Sequence, residues 1–331
     1  NDVIVMDMSF MSKYLVSGRD AGKILNWISA GNVDGDPGRV TYTQWLDEAG
    51  KLQADLTVTK LQNGDYFVIS SDNTKRHSEW WMKKHIGDQH AFVVDQTSAF
   101  AQIPVQGPRS RELLQSITNA DMSNAAFAFR DAKRIDIGYA WALCLRITYL
   151  GELGYELYVP TEQAVHVYDK IVAAGAKVGL RHAGLKSLGS LRMEKGYRYW
   201  SGDLTPDYNP CEAGLGFAVA LDKGEFLGRE ALSRIKAEGV TRRLCSFTVD
   251  GFAPFHGGEA ILFGGKVVGS TSSTGYGYTL GKTIAFGYLP VELAGEAAFE
   301  IEAFGKAYRA TRGPRTLYDP KMASLRARVT I

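Results

Sequence analysis

Runs in which apolar and polar residues alternate predict strands along much of the chain. One pair of runs occupies residues 145–149 and 155–159, with two glycines between them and a proline directly after them. Glycine is typical of turns, and proline ends a strand because it lacks a backbone donor. The pattern therefore predicts a β-hairpin in the middle of the chain.

The predicted hairpin brings two chemically useful side chains together. Tyr149 would lie at the mouth of the turn, and Glu156 one step into the return strand. Because Gly151 and Gly154 lack side chains, a flat ligand could approach the backbone beside the turn. A carboxylate accepts two N–H bonds side by side and a phenol ring packs on a face, so the pair suits a planar heterocycle. The residues alone still favour an ordinary hairpin with a surface glutamate, because hairpins are common.

The same patterns divide the rest of the chain into helices and strands. Helices are predicted at residues 21–29, 74–86, 109–117, 161–174, 185–195 and 229–238. Further strands are predicted at residues 40–46, 52–61, 66–70, 92–94, 99–105 and 132–137. The antiparallel turns between these strands indicate an α+β fold class. From residue 240, short strands separated by glycines predict a small all-β barrel or sandwich.

Composition limits the functions that the chain could have. Its 331 residues exceed one small core, so two or three domains are expected. A net charge of +2 argues against a nucleic-acid surface, and no apolar stretch is long enough to span a membrane. The three cysteines and six histidines show no metal-ligand spacing, so the sequence predicts reduced thiols and no metal site.

The start of the chain also bears on its context. It begins with Asn1 and shows no signal peptide, so we expect a cytoplasmic protein, or a mitochondrial matrix protein if the source is eukaryotic. The chain opens in a predicted strand at residues 3–9. We therefore expect it to be part of a longer polypeptide.

A second candidate residue lies in the predicted strand at residues 52–61. Alternation puts Asp55 on the polar face of that strand, opposite a face of leucine, alanine and valine. Aspartate is disfavoured in mid-strand, so a solvated face and a functional carboxylate explain it equally well. Asp203 and Glu212 could form a metal pair, but without a third ligand we expect structural hydrogen bonds from them.

The motif Tyr-x-Gly-Glu-x-Gly-aromatic-Glu at residues 149–156 resembles a hairpin of the folate-binding aminomethyltransferase family. That family includes the T-protein of the glycine cleavage system and the tetrahydrofolate-binding halves of dimethylglycine and sarcosine dehydrogenases. Residues 196–206 are closer to these demethylating dehydrogenases than to the T-protein. The resemblance covers nearly the whole chain, through segments at residues 7–9, 50–58, 105–108, 190–196, 226–232 and 269–290.

The resemblance implies a three-domain, T-protein-like arrangement around a central folate channel. Domain 1 would be a split α+β domain of residues 1–38 and 131–239. Domain 2 would be an inserted α+β domain of residues 39–130. Domain 3 would be a C-terminal β-barrel of residues 240–331.

The resemblance also implies roles for individual residues. Asp55 matches the family's catalytic carboxylate, although Ala54 replaces an aspartate that the family carries before it. Tyr149 would be catalytic and would contact the folate near its reacting atoms, and Glu156 would bind the amino-pyrimidine edge of the pterin. The active site would lie where Asp55 faces the hairpin. Leu188 stands where the T-protein has a pterin-contacting arginine, which argues against T-protein chemistry.

An aromatic pair could extend the folate site. The resemblance implies that Tyr199 and Trp200 line the folate channel as further cofactor-binding residues. Packing of the two rings at a domain interface is an equal alternative, since large aromatic side chains are common there.

The function implied by the resemblance is a folate-dependent one-carbon transferase. It would capture an iminium or formaldehyde unit from oxidative N-demethylation of a methylated amine, giving 5,10-methylenetetrahydrofolate. Its partners would be a small-molecule one-carbon donor and a flavin-dependent dehydrogenase or oxidase domain or subunit, with FAD bound there and not on this chain. Two alternatives stay open: the glycine cleavage T-protein acting on an aminomethyl-lipoyl carrier, and a non-enzymatic folate-binding regulatory or assembly module.

Overall fold

The computed structural model describes residues 3–326. Its strands are, in chain order, β1 (Val3–Val5), β2 (Ser12–Ser17), β3 (Arg39–Leu46), β4 (Leu52–Lys60), β5 (Tyr66–Ser70), β6 (Phe92–Asp95), β7 (Phe100–Gln106), β8 (Ala132–Ile137), β9 (Ala140–Leu145), β10 (Gly154–Pro160), β11 (Leu180–His182), β12 (Arg242–Asp250), β13 (Ala260–Phe263), β14 (Lys266–Gly277), β15 (Lys282–Pro290), β16 (Ala298–Ala303) and β17 (Lys306–Gly313). Its α-helices are α1 (Ala21–Ile28), α2 (Lys75–Ile86), α3 (Ser110–Gln115), α4 (Ala164–Gly175), α5 (Leu185–Glu194), α6 (Arg229–Glu238) and α7 (Ala323–Arg326).

Within the described residues, these strands form two open sheets and one closed barrel. Sheet A has the order β11-β1-β7-β10-β9-β8, and sheet B has the order β3-β4-β5-β2-β6. The barrel closes in the order β12-β15-β14-β13-β16-β17. This architecture confirms the predicted α+β class and the C-terminal β-barrel, and it excludes the sandwich alternative.

The two open sheets exchange strands across the predicted domain boundaries. β2 precedes the predicted insertion at residues 39–130, but it pairs with β5 and β6 in sheet B. β7 lies inside that insertion, but it pairs with β1 and β10 in sheet A. The chain therefore crosses between the sheets after β1 and again before β7, and the predicted boundaries at residues 38 and 130 follow neither sheet.

Helices cover the outer face of each open sheet. Leu25 of α1 and Met82 of α2 are buried in one cluster with Leu56 and other apolar residues of sheet B. Leu113 of α3 and Ile171 of α4 are buried in a second cluster with residues of sheet A. Burying such apolar faces is the main favourable term for each layer.

The inner faces of the two sheets lie against each other. Phe67 and Ile69 of sheet B are buried in one cluster with Leu145 and Tyr158 of sheet A. The rings of Phe67 and Tyr158 meet edge to face, with their centroids 5.2 Å apart. Side chains that share a face with these residues therefore point into the space between the sheets.

The central hairpin forms, but its first strand was misplaced in the prediction. β9 and β10 pair with Leu145 opposite Glu156, whereas residues 146–153 form a loop instead of continuing the ladder. Arg146 stays bonded on the β8 side, where its backbone N–H bonds the carbonyl of Asp131, and its buried guanidinium donates to the carbonyl of Phe127, but it has no partner on β10. The predicted strand at residues 145–149 is thus a loop from residue 146 onward, and the observed strand β9 spans Ala140–Leu145.

A buried carboxylate joins the barrel to the rest of the molecule. Asp203 accepts hydrogen bonds from Arg192 of α5 at 2.9 Å, from the backbone N–H of Tyr199 at 3.0 Å and from the backbone N–H of Ser273 in β14 at 3.1 Å. The Asp203 side chain has no exposed surface, and that of Arg192 is 9% exposed. An ion pair so buried is costly to break from one side, because the remaining charge is left without a partner.

We expect Asp203→Ala to lower the free energy of unfolding by about 3–5 kcal/mol, the scale for an uncompensated buried charge. Urea unfolding followed by circular dichroism would measure it. Asp250→Asn removes a matched but exposed pair with Lys282 in the barrel, and we expect it to change stability by less than about 1 kcal/mol. Equal effects of the two substitutions would contradict the role given to Asp203.

Candidate functional site

Strand register brings the two predicted carboxylates into the same inter-sheet space. Asp55 of β4 lies opposite Gln44 of β3, on the face that β5 continues with Phe67. Glu156 of β10 shares its face with Tyr158, whose ring packs against Phe67. The prediction that Asp55 lies on the polar face of its strand is confirmed, but this face is turned toward sheet A and is not a solvated surface.

Asp55 is a carboxylate held by neutral donors. Gln44 donates its amide N–H to Asp55 Oδ1 at 2.9 Å, and the Tyr42 hydroxyl also hydrogen-bonds the carboxylate. Burial raises the pKa of Asp55 to about 6, while these two hydrogen bonds and the positive charge of Arg198 act in the opposite direction. A carboxyl group with such a pKa changes protonation state close to neutral pH.

Tyr42 was missed in the sequence analysis. It lies on β3, two residues before Gln44, and burial raises the pKa of its hydroxyl well above its usual value. Its ring stacks on Phe217 with centroids 6.1 Å apart. The signal that could have found it is the antiparallel pairing of β3 and β4, which puts same-face residues of β3 beside Asp55.

Glu156 has one occupied and one available oxygen. The Tyr158 hydroxyl donates to Glu156 Oε2 at 2.6 Å, and the amide of Gln102 donates to the same oxygen at 3.1 Å. Burial raises the pKa of Glu156, and the positive charge of Lys13 opposes that rise. Among residues 3–326, both hydrogen bonds to this side chain end on Oε2, so Oε1 remains able to accept from a ligand.

Tyr149 is fixed by the loop that replaces the predicted strand. Its hydroxyl donates to the backbone carbonyl of Arg198, and its ring stacks on Tyr197 with centroids 5.9 Å apart. Burial raises the pKa of the Tyr149 hydroxyl well above its usual value, and the negative charge of Asp55 acts in the same direction. Tyr149 and Asp55 therefore lie in one electrostatic environment.

A cleft unites two of the predicted site residues. Its polar lining includes Tyr149, Glu156 and Gln106, and its apolar lining consists of Met6, Met8, Pro104, Leu150 and Leu188. The cleft therefore brings together Tyr149, Glu156 and Leu188, which were predicted from separate parts of the sequence.

The two glycines of the loop do not open a path for a ligand. A Cβ atom at Gly151 would lie 2.1 Å from Cγ of Lys195, and one at Gly154 would lie 1.9 Å from Oε1 of Gln106. Gly151 also has a φ of +73°, which favours glycine. The glycines are needed because neighbouring side chains occupy the space beside them, and that part of the hairpin hypothesis is wrong.

Tyr199 and Trp200 are not among the residues that line this cleft. Trp200 packs on the buried cluster that contains Leu46 and Leu204, as the interface-packing alternative predicts. Tyr199 is 45% exposed, and the guanidinium of Arg192 lies 5.7 Å from its ring centroid. Binding of folate by these two rings stays a prediction.

The described residues offer no metal centre and no membrane span. Within residues 3–326, no three histidine, cysteine, aspartate or glutamate side chains are grouped so that they could bind a metal ion. Glu212, considered with Asp203 as a metal pair, instead accepts from the backbone N–H of Asn209 at 3.0 Å and from Arg242 at 3.2 Å. Over the same part of the chain, every helix is too short or too polar to cross a membrane.

Comparison with known proteins identifies the family. The chain matches the GCVT N-terminal domain over residues 1–223 and the glycine cleavage T-protein C-terminal barrel domain over residues 242–319. The chain belongs to the glycine cleavage T-protein family. The predicted family resemblance is therefore confirmed, and the second match coincides with the closed barrel of this T-protein family member.

Several relatives of this T-protein family member are much longer than the chain. Human mitochondrial sarcosine dehydrogenase is 36% identical over 340 residues, which cover 96% of the chain and 37% of that protein. Mouse mitochondrial dimethylglycine dehydrogenase is 36% identical over 330 residues, which cover 97% of the chain and 38% of that protein. The chain thus spans less than two fifths of the length of these curated relatives.

A solved structure shows the same fold. The glycine cleavage system aminomethyltransferase T from Bartonella henselae superposes with a TM-score of 0.86 at 22% identity, over 96% of this chain and 87% of that chain. The predicted T-protein-like arrangement is confirmed at the level of the fold.

The raised pKa of Asp55 predicts a dependence of stability on pH. Between about pH 4 and about pH 6, the folded protein keeps a proton that the unfolded chain has lost, so this group's contribution to the free energy of unfolding falls as the pH rises. Asp55→Asn lacks this titration. We expect the wild-type minus variant difference, measured by urea unfolding, to fall by about 1–2 kcal/mol from about pH 4.5 to about pH 7.5. The same difference at both pH values would contradict the raised pKa.

Proposed function

We propose that the chain binds tetrahydrofolate and captures on it the iminium or formaldehyde unit that oxidative N-demethylation of a methylated amine releases, giving 5,10-methylenetetrahydrofolate. The observation that carries the proposal is the arrangement of Glu156. Its carboxylate has one oxygen without a partner among the described residues and lines a mostly apolar cleft beside Tyr149. Across the inter-sheet space, Asp55 supplies a second carboxylate with a pKa of about 6.

The residues present fit the pterin end of tetrahydrofolate. The amino-pyrimidine edge of a pterin presents N–H donors side by side, and a carboxylate oxygen accepts such donors well. Gln102, which bonds Glu156, has a buried Oε1 without a partner among the described residues, so a second acceptor lies next to the carboxylate. The methionines, proline and leucines of the cleft offer an apolar surface for a flat ring.

Asp55 would have two roles, the electrostatic stabilisation of positive charge and the transfer of protons. When bound, tetrahydrofolate supplies the amine nitrogens that take up the one-carbon unit. In its ionised form Asp55 stabilises positive charge that develops near it, and in its protonated form it can donate a proton near neutral pH. Gln44 and Tyr42 fix its orientation, so no reorganisation is needed during the reaction.

The cleft favours demethylating chemistry over that of the glycine cleavage T-protein. Leu188, at the position matched to the T-protein's pterin-contacting arginine, lines the cleft and gives it an apolar wall. Because the chain covers only 37% of sarcosine dehydrogenase, we assign the oxidation step to a flavin-dependent domain or subunit outside these residues. The retained Asp55 favours an enzyme over a purely regulatory module. A mitochondrial location is part of the proposal if the source is eukaryotic.

The binding role of Glu156 is testable by calorimetry. We expect Glu156→Ala to weaken tetrahydrofolate binding by about 1.5–3 kcal/mol, the usual scale for a hydrogen bond to a charged group. Glu300→Ala, which changes an exposed glutamate of β16, is the matched control and should leave the affinity unchanged. Equal affinity of wild type and Glu156→Ala would remove Glu156 from the site.

The role of Asp55 is testable by following the folate product. We expect Asp55→Asn to form methylenetetrahydrofolate roughly a hundredfold more slowly, as for other removed electrostatic or acid–base groups, with a much smaller change in folate affinity. The uncatalysed condensation of formaldehyde with tetrahydrofolate must be subtracted. Asp36→Asn, at an exposed turn, is the control. Wild-type rates in Asp55→Asn above that background would show that Asp55 is not catalytic.

A further inference from the structure

After the last barrel strand, residues 314–326 lie against the end of α5, and we call this segment the C-terminal strap. The backbone N–H groups of Leu317 and Tyr318 bond the carbonyl of Glu194, at the end of α5, at 3.1 and 2.9 Å. Leu325 is 3% exposed. The strap is therefore docked through backbone hydrogen bonds and a buried side chain, and it is not a loose end of the barrel.

The strap contacts the loop that carries Tyr149. Lys195 Nζ and Asp319 Oδ2 form an ion pair at 2.8 Å, in which the lysine side chain is 2% exposed. The stem of the same lysine fills the space beside Gly151, two residues after Tyr149. Glu152, the next residue of the loop, hydrogen-bonds Ser324 of the strap. The strap thus holds the loop directly and through Lys195.

The strap also reaches the side of the site that contains Asp55. The guanidinium of Arg315 lies 4.6 Å from the ring centroid of Phe217, and Phe217 stacks on Tyr42. Tyr42 in turn hydrogen-bonds Asp55. A chain of contacts therefore runs from the start of the strap to the candidate catalytic carboxylate.

The fit of the strap depends on a glycine. A Cβ atom at Gly196 would lie 1.9 Å from the backbone carbonyl oxygen of Arg315, and Gly196 has a φ of +69°. Only glycine allows both this backbone conformation and such a close approach. The segment that follows α5 is shaped to receive the strap.

We infer that the C-terminal strap is a positioning element for the candidate site, and that the Lys195–Asp319 ion pair is its main attachment. Lys195 and Asp319 are positioning residues, since they act through the Tyr149 loop and line no part of the cleft. The inference rests on the proposed function only for its effect on folate. The effect on the loop itself is independent of any ligand.

The test compares Asp319→Asn and Lys195→Met with wild type in the full chain. Methionine keeps the stem that packs on Gly151 and removes the charge, so it separates the ion pair from packing. Hydrogen exchange of the ligand-free protein is read at the amides of residues 149–152, with β12 as an internal reference. We expect both variants to exchange about tenfold faster in the loop and unchanged in β12, because the opening is local.

The second readout is tetrahydrofolate affinity by calorimetry. We expect about a tenfold loss in each variant, which corresponds to about 1.4 kcal/mol, and the same loss in the double variant, because both substitutions remove one interaction. Asp250→Asn, which breaks an exposed ion pair in the barrel, should change neither readout. Gly196→Ala, which pushes the strap away at Arg315 but keeps both charged side chains of the pair, should reproduce the loop effect.

Several results would overturn the inference. Exchange that rises equally in the loop and in β12 would mean that the pair contributes only to global stability. Unchanged exchange in the loop, or faster exchange with unchanged folate affinity, would show that the strap does not position the site. If wild type fails to bind tetrahydrofolate, the proposed function fails, and the exchange data alone still decide whether the strap positions the loop.

Discussion

Two carboxylates lie in the space between two β-sheets, and the need to satisfy them there shapes the rest of the site. A carboxylate moved out of water loses its hydration, and it must either find donors or take up a proton. Gln44 of the neighbouring strand β3 donates a hydrogen bond to Asp55, and Tyr158 of the same strand β10 donates one to Glu156. Neutral donors satisfy an oxygen without cancelling the charge. Burial raises the pKa of both carboxyl groups, the hydrogen bonds from these donors offset that rise only in part, and both groups remain able to act on a ligand.

A buried lysine adds a positive charge to this region without forming a salt bridge to either carboxylate. Lys13 of β2 has no exposed surface, and its ammonium donates to the carbonyls of Ser9 and Met11 at 2.9 and 2.8 Å. Burial lowers its pKa to about 8, and the negative charges of Asp7, Asp95 and, to a smaller extent, Glu156 oppose that shift. Because the ammonium is bound to the backbone, it supplies a positive potential to Glu156 and fixes the turn next to Met8, which lines the cleft. A direct salt bridge would have neutralised the group that the cleft presents.

The sequence predicted the parts of the fold that depend on local pattern. Alternation located β5 and β8 to the residue, and helical spacing did the same for α6. The same local rule failed at residues 145–149, because an alternating run forms a strand only where a partner ladder continues. There the pairing with β10 ends at Leu145.

The site was predictable only where a motif marked it. Asp55 and Glu156 lie in sequence segments that resemble motifs of the family, and the strand register places both residues in the space between the two sheets. Tyr42 carried no such signal, since its contact with Asp55 exists only after β3 pairs with β4. The ion pair of Lys195 was also not predicted, because its partner Asp319 is distant in the sequence and a local pattern contains no information about such a contact.

The fold alone does not decide the chemistry of this family member. The T-protein structure of 22% identity shares the architecture, and a shared architecture does not by itself determine function. On the wall of the cleft, Leu188 contributes an apolar side chain. The site draws on strands of both sheets and on loops bound to the barrel through Asp203 and through the strap. The two open sheets, the barrel and the strap therefore all contribute contacts to the elements that hold Tyr149 and Asp55.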